Sequence, residues 1–325
     1  MVLKVSVVLC TFNPDRDRMQ RSIDALKRQT LPREEWELIV VDNASESPVR
    51  GAGFSVPDNA RFIHQPKAGL VHARISGIQN AKASIIIFCD DDNAFARDYL
   101  AHAVEIIASH PRLGVAVGKS KPDFEVEPDV WMSEFFGCLA LYDHGDDIKI
   151  AAGTSDGYPP FVGGGCGAVF RREALEAFLR LMIDADDVIT GRRGSDLCSG
   201  EDNDIVLHLL AAGWEAGYFP QLELIHLIAA RRLTRDYLAR LNEGIARSWV
   251  RVLHRHGLCP WTPTSRIFVP LQMLRTYVRY RAWRGPAQYV RWRGACGQFR
   301  GRAEIESTSS ETAIGMIATH KGAGS

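Results

Sequence analysis

The stretch IIIFCDDDNAF, residues 85–95, joins a run of apolar residues directly to three adjacent carboxylates. A short β-branched and aromatic run is typical of a strand that is buried on both faces. Side chains alternate across an extended backbone, so we expect Asp90 and Asp92 to point one way and Asp91 the other. Converging carboxylates at a strand end would coordinate a hard divalent cation such as Mg²⁺ or Mn²⁺. A solvated acidic turn is the alternative interpretation.

Strand-like and helical patterns alternate on both sides of this stretch. Buried runs that predict strands lie at 5–10, 38–41, 62–63, 85–89, 113–117 and 222–227. Apolar residues at helical spacing predict helices at 15–29, 70–81, 99–109, 170–182, 200–213 and 232–255. Such alternation specifies an α/β fold with a parallel sheet. Since ligands bind at the carboxyl ends of strands in such sheets, we expect Thr11, Asp42 and the acids at 90–92 to line one cleft.

The composition is that of an ordinary soluble globular protein, with 325 residues, 46% of them hydrophobic, and a formal net charge of zero. The N-terminus lacks the basic start and the cleavage site of a signal peptide, and no apolar stretch approaches the ~20 residues that span a bilayer. The seven cysteines form no CxxC pair, so neither a disulfide framework nor a thiolate zinc site is indicated. We therefore expect a cytoplasmic protein.

The segment after the first predicted strand, CTFNPDRDR at 10–18, contains no glycine. This absence argues against the Walker phosphate loop, the glycine-rich dinucleotide turn and a sugar nucleotidylyltransferase. Neutralisation of a bound phosphate would then fall to a metal ion and to side chains. A nucleotide diphosphate chelated by Mn²⁺ or Mg²⁺ fits this arrangement.

A second acidic segment, SGEDNDIVLHLL at 199–210, begins a predicted helix. Ser199 and Asp202 have the spacing of a capping box, which would give them a purely structural role. A carboxylate at the helix N-terminus that faces the cleft would instead be able to take a proton from an attacking hydroxyl. His226 ends a strand-like segment, and by itself such a histidine is interpreted as a core residue.

Five segments together resemble the family 2 glycosyltransferases of the GT-A fold. They are VSVVLCTFN, LIVVDNAS, GLVHARISGIQNAKASIIIFCDDDNAF, GGGCGAVFRREAL and GEDNDIVLHLLAAGW, in the family's order over about residues 4–226. The resemblance implies a GT-A type, Rossmann-like and mostly parallel sheet flanked by helices. It also implies inverting transfer of a sugar from a nucleotide-diphosphate donor, with UDP-sugar favoured, to a hydroxyl acceptor. The acceptor would be a saccharide or a lipid-linked molecule in surface polysaccharide or glycolipid assembly.

The resemblance also implies donor-binding residues. They are Thr11, Asn13, Asp42, Arg74, Asp90, Asp91, Gly164 and Gly165. The first three would border the nucleotide base and ribose, and Asp90 would contact the ribose or the sugar. Arg74 would approach the diphosphate or the sugar, and the two glycines would let the backbone come close to donor or acceptor. Thr-Phe-Asn stands at 11–13 where Thr-Tyr-Asn is common, a mild departure from the family pattern.

A metal site and a catalytic base are implied as well. Asp92 would bind Mn²⁺ or Mg²⁺ as the last acid of the D-x-D motif, and His226 would complete the metal site, as a histidine does in some members. Glu201 and Asp202 match the motif that supplies the base, and we expect Asp202 to deprotonate the acceptor hydroxyl. The metal would stabilise the departing diphosphate as a Lewis acid.

Two other classes of function stay open. A metal-dependent nucleotidyl- or phosphotransferase would use the same α/β cleft and the same metal. The second is a non-catalytic nucleotide-sugar binding or scaffold protein. The presence of acids at 42, 90, 92 and 202 speaks against that second class.

The C-terminal third is basic, with nine arginines and no acid between Arg266 and Arg302. Large apolar residues interleave these arginines, and PLQMLRTYVRYRAW at 270–283 predicts a basic amphipathic helix. Such a helix would bind an anionic membrane surface at the inner face of the cell membrane, or would pack its apolar side on the catalytic domain or a second subunit. We expect no nucleic-acid binding, because no recognised module accompanies the charge.

These patterns divide the chain into three parts. We expect a catalytic domain over 1–230, a helical basic region over 231–302 and a flexible tail over 303–325. Residues 120–165 are rich in glycine, proline and aspartate, which predicts loops over the cleft that choose the acceptor.

Overall fold

The structure, a computed structural model, describes residues 2–183 and 200–320. Within them the strands are β1 (Val5–Thr11), β2 (Trp36–Asp42), β3 (Ala60–His64), β4 (Ile85–Asp90), β5 (Asn93–Phe95), β6 (Leu113–Phe124), β7 (Lys149–Ala152), β8 (Val169–Arg171) and β9 (Glu215–Ile228). The α-helices are α1 (Arg16–Lys27), α2 (Leu70–Asn80), α3 (Tyr99–Ser109), α4 (Arg172–Ile183), α5 (Glu201–Ala211), α6 (Arg235–Arg255), α7 (Val269–Arg279) and α8 (Pro286–His320). Short 3-10 helices cover Arg33–Glu35, Val130–Leu139, Ala230–Arg232 and Arg266–Phe268.

These strands join one sheet in the order β3-β2-β1-β4-β8-β6-β9-β5, with β7 paired to β9. β1 runs parallel to β2 and β4, β2 runs parallel to β3, and β6 runs parallel to β9. β8 lies antiparallel between β4 and β6, and β5 and β7 lie antiparallel to β9. The predicted α/β fold with a mostly parallel sheet flanked by helices is therefore confirmed.

Apolar side chains cover both faces of the sheet, as expected for strands that helices connect. Every residue of β1 is buried. Val8 packs in one core with residues of α2, α4 and α5, whereas Val7 packs in the other with residues of α1 and α3. The parallel register sets Thr11 beside Asp42, and the residue before Thr11 beside Asp90. Because both faces of the sheet are buried, the polar carboxyl ends of β1, β2 and β4 are held together at one edge of the sheet.

The structure differs from the predicted elements mainly from residue 120 on. Residues 120–165, predicted as loops, also contain the end of β6, a 3-10 helix and β7. β9 begins at Glu215 rather than near residue 222, and β7 pairs with its first half. Gly217 and Pro220 lie in that half, and both residue types weaken a strand pattern, which is why the sequence alone did not indicate it.

The C-terminal region is built on α6 and α8. Leu238 and Leu241 of α6 and Val290 of α8 are buried in one cluster with side chains of the 3-10 helix Val130–Leu139. Gly297 of α8 allows a close approach of the two helices, because a Cβ there would collide with the carbonyl oxygen of Glu243. None of the helices in the described part of the chain combines the length and apolar character required to cross a membrane.

The chain after residue 302, which we expected to be a flexible tail, continues as α8 to His320. Ala303 and Ile305 are buried, and Glu304 forms an ion pair with Arg247 of α6. Gly301 lies against α6 with no room for a side chain, and α8 continues through it. The flexibility expected for 303–325 stays a prediction. Residues 321–325 of the expected tail lie outside the described residues.

Candidate active site

The carboxyl ends of β1 and β4 and the N-terminus of α5 open on one cavity of about 530 Å³. The sequence-predicted residues that line it are Thr11, Arg74, Asp90, Asp91, Asp92, Gly164, Gly165, Glu201, Asp202 and His226. Asn13 and Asp42 are not among the lining residues. Most of the residues that the sequence singled out therefore meet in one place, although they come from widely separated segments.

Asn13 and Asp42 shape the loop beside the cavity. The buried Asp42 carboxylate accepts hydrogen bonds from the backbone nitrogens of Ser45 and Val49, at 3.2 and 3.0 Å. Asn13 has a φ of 47°, and its side-chain oxygen accepts a hydrogen bond from the nitrogen of Glu46 at 2.9 Å. Both side chains thus hold the chain that follows β2, and their contact with a donor base or ribose stays a prediction.

Arg74 of α2 lies between the two acidic segments. Its buried guanidinium contacts Asp202 and lies 3.5 Å from Glu201 Oε1 and 3.8 Å from Asp90 Oδ1. It also lies over the ring of Phe88, 4.9 Å from the ring centroid. Burial alone would lower the pKa of Arg74, but the three carboxylates outweigh burial and hold that pKa above its ordinary value. The guanidinium is therefore a fixed positive charge in the wall of the cavity.

Asp92 and His226 meet at a second guanidinium. β5 pairs with β9 so that Asn93 lies opposite His226, which brings Asp92 Oδ2 within 3.3 Å of His226 Nε2. The buried Arg232 donates from Nη1 to both atoms, at 3.0 and 3.2 Å. Since arginine only donates, His226 Nε2 is an acceptor. A carboxylate oxygen and an imidazole nitrogen therefore face one position that a positive charge occupies.

Asp91 has a different partner from its two neighbours. Its Oδ2 accepts a hydrogen bond from Thr11 Oγ1 at 2.5 Å. Burial and the nearby Asp92 raise the pKa of Asp91 to about 7, although the Thr11 hydrogen bond acts in the opposite direction. Burial also raises the pKa of Asp90, against the effect of Arg74. Burial therefore disfavours the charged forms of Asp90 and Asp91.

The glycine segment at 163–165 forms the wall next to Asp202. A Cβ at Gly165 would collide with the Asp202 carboxylate, whereas a Cβ at Gly164 would meet Asp202 Oδ2 at an ordinary 3.8 Å. A Cβ at Gly163 would press on the ring of Tyr142. The segment therefore approaches the acid as closely as a backbone without side chains allows.

α5 begins at Glu201 without a side-chain cap from Gly200, whose φ is 146°. Glu201 Oε2 accepts a hydrogen bond from the nitrogen of Gly200 at 3.1 Å. Ser199, the first residue of the predicted capping box, lies outside the described residues. Asp202 contacts Arg74, so its carboxylate faces the cavity.

The cavity also contains residues that the sequence patterns did not single out. They are Tyr142, Arg231, Arg232, Ile245 and Trp249, among others. Two adjacent arginines, Arg231 and Arg232, follow His226 closely and could have drawn attention to this site. The sequence pattern, however, only placed Arg232 at the start of a predicted helix. Arg232 and Asp92 are 140 positions apart, so their contact could not be foreseen from local patterns.

A second polar cluster lies between α5 and the end of α6 and contains three side chains that could hold a metal ion: Asp204, His208 and His256. His256 Nε2 lies 2.8 Å from Asp204 Oδ1, and Arg255 donates to Asp204 Oδ2 at 3.1 Å. His208 Nδ1 lies 2.7 Å from the carbonyl oxygen of Asp204. Protein atoms already satisfy the carboxylate, and none of the three residues lines the cavity. The cluster ties α5 to the end of α6.

Parts of the chain are similar to curated glycosyltransferases. It is 30% identical over 108 residues to "Glycosyltransferase AglE" of Haloferax volcanii, a match that covers 32% of this chain and 35% of that protein. It is 31% identical over 100 residues to "Uncharacterized glycosyltransferase YwdF" of Bacillus subtilis, with 30% of this chain and 36% of that protein covered. The chain thus spans about a third of the length of these curated relatives.

The fold is similar to that of a solved structure, "Mannosyltransferase PcManGT from Pyrobaculum calidifontis in complex with GDP-Man and Mn2+". The TM-score is 0.53 at 20% sequence identity, and the likeness covers 96% of this chain and 80% of that chain. At this identity the likeness concerns the fold, and it agrees with the GT-A type architecture that the sequence predicted.

The family model described as "Glycosyl transferase family 2" matches residues 6–179. The matched span runs from β1 through α2, the acidic triplet and the glycine segment into α4. It includes more than half of the chain, and the resemblance inferred from the sequence is confirmed. The chain therefore belongs to family 2 of the glycosyltransferases.

Proposed function

We propose that this protein is an inverting glycosyltransferase that moves a sugar from a nucleotide-diphosphate donor to a hydroxyl acceptor. The observation that carries the proposal is the meeting of the acidic triplet with the paired acids of α5 in one cavity. A single displacement at the anomeric carbon needs one base and a stabilised leaving group, and it inverts the configuration. Membership of family 2 supports the same class of reaction.

Asp92 and His226 are the proposed metal ligands. Their oxygen and nitrogen atoms face one position that accepts a positive charge, here the guanidinium of Arg232. Carboxylate oxygens suit Mg²⁺ and Mn²⁺, and a mixed oxygen and nitrogen pair fits Mn²⁺ better than Mg²⁺. When bound, such an ion would act as a Lewis acid toward the leaving diphosphate. The structural neighbour was solved in complex with Mn2+, which supports the choice of a divalent ion.

Asp202 is the proposed catalytic base, and Glu201 its supporting neighbour. The side chain of Asp202 is 14% exposed and faces the glycine segment, whereas that of Glu201 is 4% exposed. Glu201 accepts a hydrogen bond from the backbone nitrogen of Gly200 and pairs with Arg74. Arg74 fixes the orientation of the Asp202 carboxylate, which would accept the proton of the acceptor hydroxyl.

Donor and acceptor are proposed by chemical class. A UDP-sugar is the first choice of donor on the family resemblance, and the GDP-Man of the structural neighbour adds guanine nucleotides to those worth testing. Tyr142 and Trp249 give the cavity an aromatic side that suits the apolar faces of a sugar. The acceptor would be a saccharide or a lipid-linked molecule in surface polysaccharide or glycolipid assembly.

Product analysis tests this proposal. The full chain would be incubated with UDP- and GDP-sugars and with mixed saccharide acceptors, in Mn²⁺, in Mg²⁺ and in a chelator. We expect release of the free nucleotide diphosphate, an inverted anomeric configuration in the product by NMR, and loss of release in the chelator. Asp92→Asn should abolish transfer and weaken Mn²⁺-dependent donor binding, and unchanged activity in this variant would reject the metal role.

The same assay separates the alternative functions. Release of pyrophosphate rather than a nucleotide diphosphate would indicate a nucleotidyltransferase. Donor binding without any turnover would indicate a binding or scaffold protein. Neither alternative is favoured, because the segment after β1 lacks the glycines of a nucleotidyltransferase loop and the cavity is lined by the acids at 90, 92 and 202.

A further inference from the structure

The 3-10 helix Arg266–Phe268 and α7 present a row of apolar side chains to solvent, here called the α7 face. Its members are 45% to 78% exposed and are Ile267, Phe268, Leu271, Leu274 and Val278. Positions 271, 274 and 278 follow helical spacing, so their side chains share one side of the helix. A contiguous exposed apolar surface of this kind marks an interaction site.

The opposite side of α7 is already covered by the protein. Tyr277 packs edge-on against Trp292 of α8, with ring centroids 5.0 Å apart. Trp292 Nε1 donates to the carbonyl oxygen of Met273 at 3.0 Å. Tyr277 thus faces α8. α7 is therefore held in place through one side while the apolar row stays outside.

Several exposed arginines lie in or close to α7 in the sequence. Arg275, Arg279, Arg281 and Arg284 are exposed and form no ion pair with any described residue. No aspartate or glutamate occurs from residue 257 to 303. Other arginines of the same region, such as Arg291, are paired with acids. The unpaired positive charges are thus concentrated where the apolar side chains are exposed.

We propose that the α7 face docks the protein on an anionic lipid bilayer. The apolar row would enter the boundary between headgroups and acyl chains, and the arginines would meet the lipid phosphates. A second copy of this chain fits less well, because a two-fold contact through this face would bring the same arginines against one another. The docking does not depend on the proposed chemistry, since no residue of the α7 face lines the cavity.

Vesicle co-sedimentation of the full chain tests the proposal. Phosphatidylcholine vesicles with and without phosphatidylglycerol would be compared at low and high salt. We expect binding to the anionic vesicles only, and weaker binding at high salt. Leu274→Asp combined with Val278→Asp should abolish binding, and each of Arg275→Ala and Arg279→Ala should weaken it by about fivefold. Ile148→Asp combined with Ile150→Asp, at exposed positions in and beside β7, is the matched control and should bind like the wild type.

Several outcomes would overturn the docking proposal. Equal binding to neutral and anionic vesicles would show that the arginines do not contribute to the binding. Binding that survives in the Leu274 and Val278 variant, or that is lost in the β7 control, would show that another surface is responsible. If sedimentation equilibrium instead shows a dimer that this variant disperses, and lipid binding is absent, the face joins two copies of the chain. Circular dichroism would confirm that each variant is folded.

Discussion

Asp202, the proposed catalytic base, contacts the guanidinium of Arg74 and would accept the proton of the acceptor hydroxyl. Asp202→Asn keeps the size of the side chain but removes its capacity to take a proton. We expect transfer to fall by about 10²–10⁴-fold while donor binding changes little. Initial rates of nucleotide diphosphate release and calorimetric titration with the donor would measure the two quantities separately.

Glu201→Gln is the matched control for Asp202→Asn, since it makes the same change one residue earlier. It should retain most of the transfer activity. If Glu201→Gln is inactive and Asp202→Asn is active, the base has been assigned to the wrong carboxylate. Loss of the folded state in Asp202→Asn, followed by thermal unfolding, would point to a structural role for this acid.

In the proposed metal site, Arg232 would compete with a cation for Asp92 and His226. Its guanidinium occupies the position that both atoms face, so metal binding requires that it withdraw. Arg232→Met keeps much of the volume and removes this competitor. We expect Mn²⁺ to bind about tenfold more tightly to this variant, because the binding-competent arrangement no longer has to be reached first. Calorimetric titration with Mn²⁺ alone would measure the change without reference to catalysis.

Arg231→Met is the matched control, because Arg231 also lines the cavity but has no contact with Asp92 or His226 among the hydrogen bonds and ion pairs of the described residues. Its affinity for Mn²⁺ should stay close to that of the wild type. Weaker Mn²⁺ binding in Arg232→Met would contradict the competition. It would mean that Arg232 holds the two ligands in place for the metal.

Local sequence patterns predicted the residues at strand and helix ends and missed those that depend on distant contacts. Asp90 and Asp202 were identifiable because each follows or begins a recognisable element. Arg232 was not, since its partner Asp92 is brought to it by the pairing of β5 with β9. The contacts of Arg74 with both acidic segments were not predicted for the same reason, because these segments lie far apart in the sequence. The resemblance suggested only that Arg74 approaches the diphosphate or the sugar.

Among the elements, the glycine segment at 163–165 and α5 approach each other most closely at Asp202. Gly165→Ala would place a methyl group where the carboxylate lies, and the acid would have to move. We expect transfer to fall by about 10²-fold, the cost of a displacement of roughly 1 Å at a catalytic group. Gly164→Ala, whose Cβ would make only an ordinary contact with Asp202, should leave this acid in place and lose less activity than Gly165→Ala. Equal losses in both variants would contradict this geometry.

The packing of α6 against α8 includes a buried acid. Glu243 is 6% exposed and its two oxygens contact Arg293 and Arg300 of α8. Glu243→Gln removes the charge while keeping the shape, and should lower the free energy of unfolding by about 1.5–3 kcal/mol. Denaturant unfolding would measure the loss.

Glu134→Gln is the matched control for Glu243→Gln. Glu134 also pairs with an arginine of α8, Arg291, but both side chains are more than 40% exposed. Screened by solvent, this pair should contribute only about 0–1 kcal/mol. If the two variants lose the same stability, burial of Glu243 does not strengthen the contact between the helices.

Predicted elements agree with the structure where a whole strand or helix is apolar in a regular pattern. β1, β4 and α3 are such cases, and their bounds differ from the prediction by one residue at most. β8 has only three residues and continues directly into α4, so two of them, Phe170 and Arg171, were assigned to the helix. β5 is equally short and forms only because β9 lies beside it. Short strands depend on partners, and a local pattern does not contain the partner.

At the scale of the whole molecule, the residues that line the cavity come from both sides of residue 230, which we predicted from the sequence to be the end of the catalytic domain. Arg231, Arg232, Ile245 and Trp249 line it from the helical region. Val252 of α6 belongs to the same core as α2, α4 and α5. Composition indicated the change to a basic helical region but not that α6 covers the cavity, because that contact joins residues far apart in sequence.

A chain that ends at residue 230 should therefore fail to bind nucleotide. The cut would remove the part of the cavity wall that Ile245 and Trp249 form, and would expose apolar residues of α5 that share a core with Val252 of α6. We expect aggregation on size-exclusion chromatography and no heat of binding with UDP or GDP in calorimetric titration. A chain that ends at Ile305 keeps every described lining residue of the cavity and should bind like the full chain. Full nucleotide affinity in the shorter chain would instead establish residues 1–230 as a self-sufficient catalytic domain.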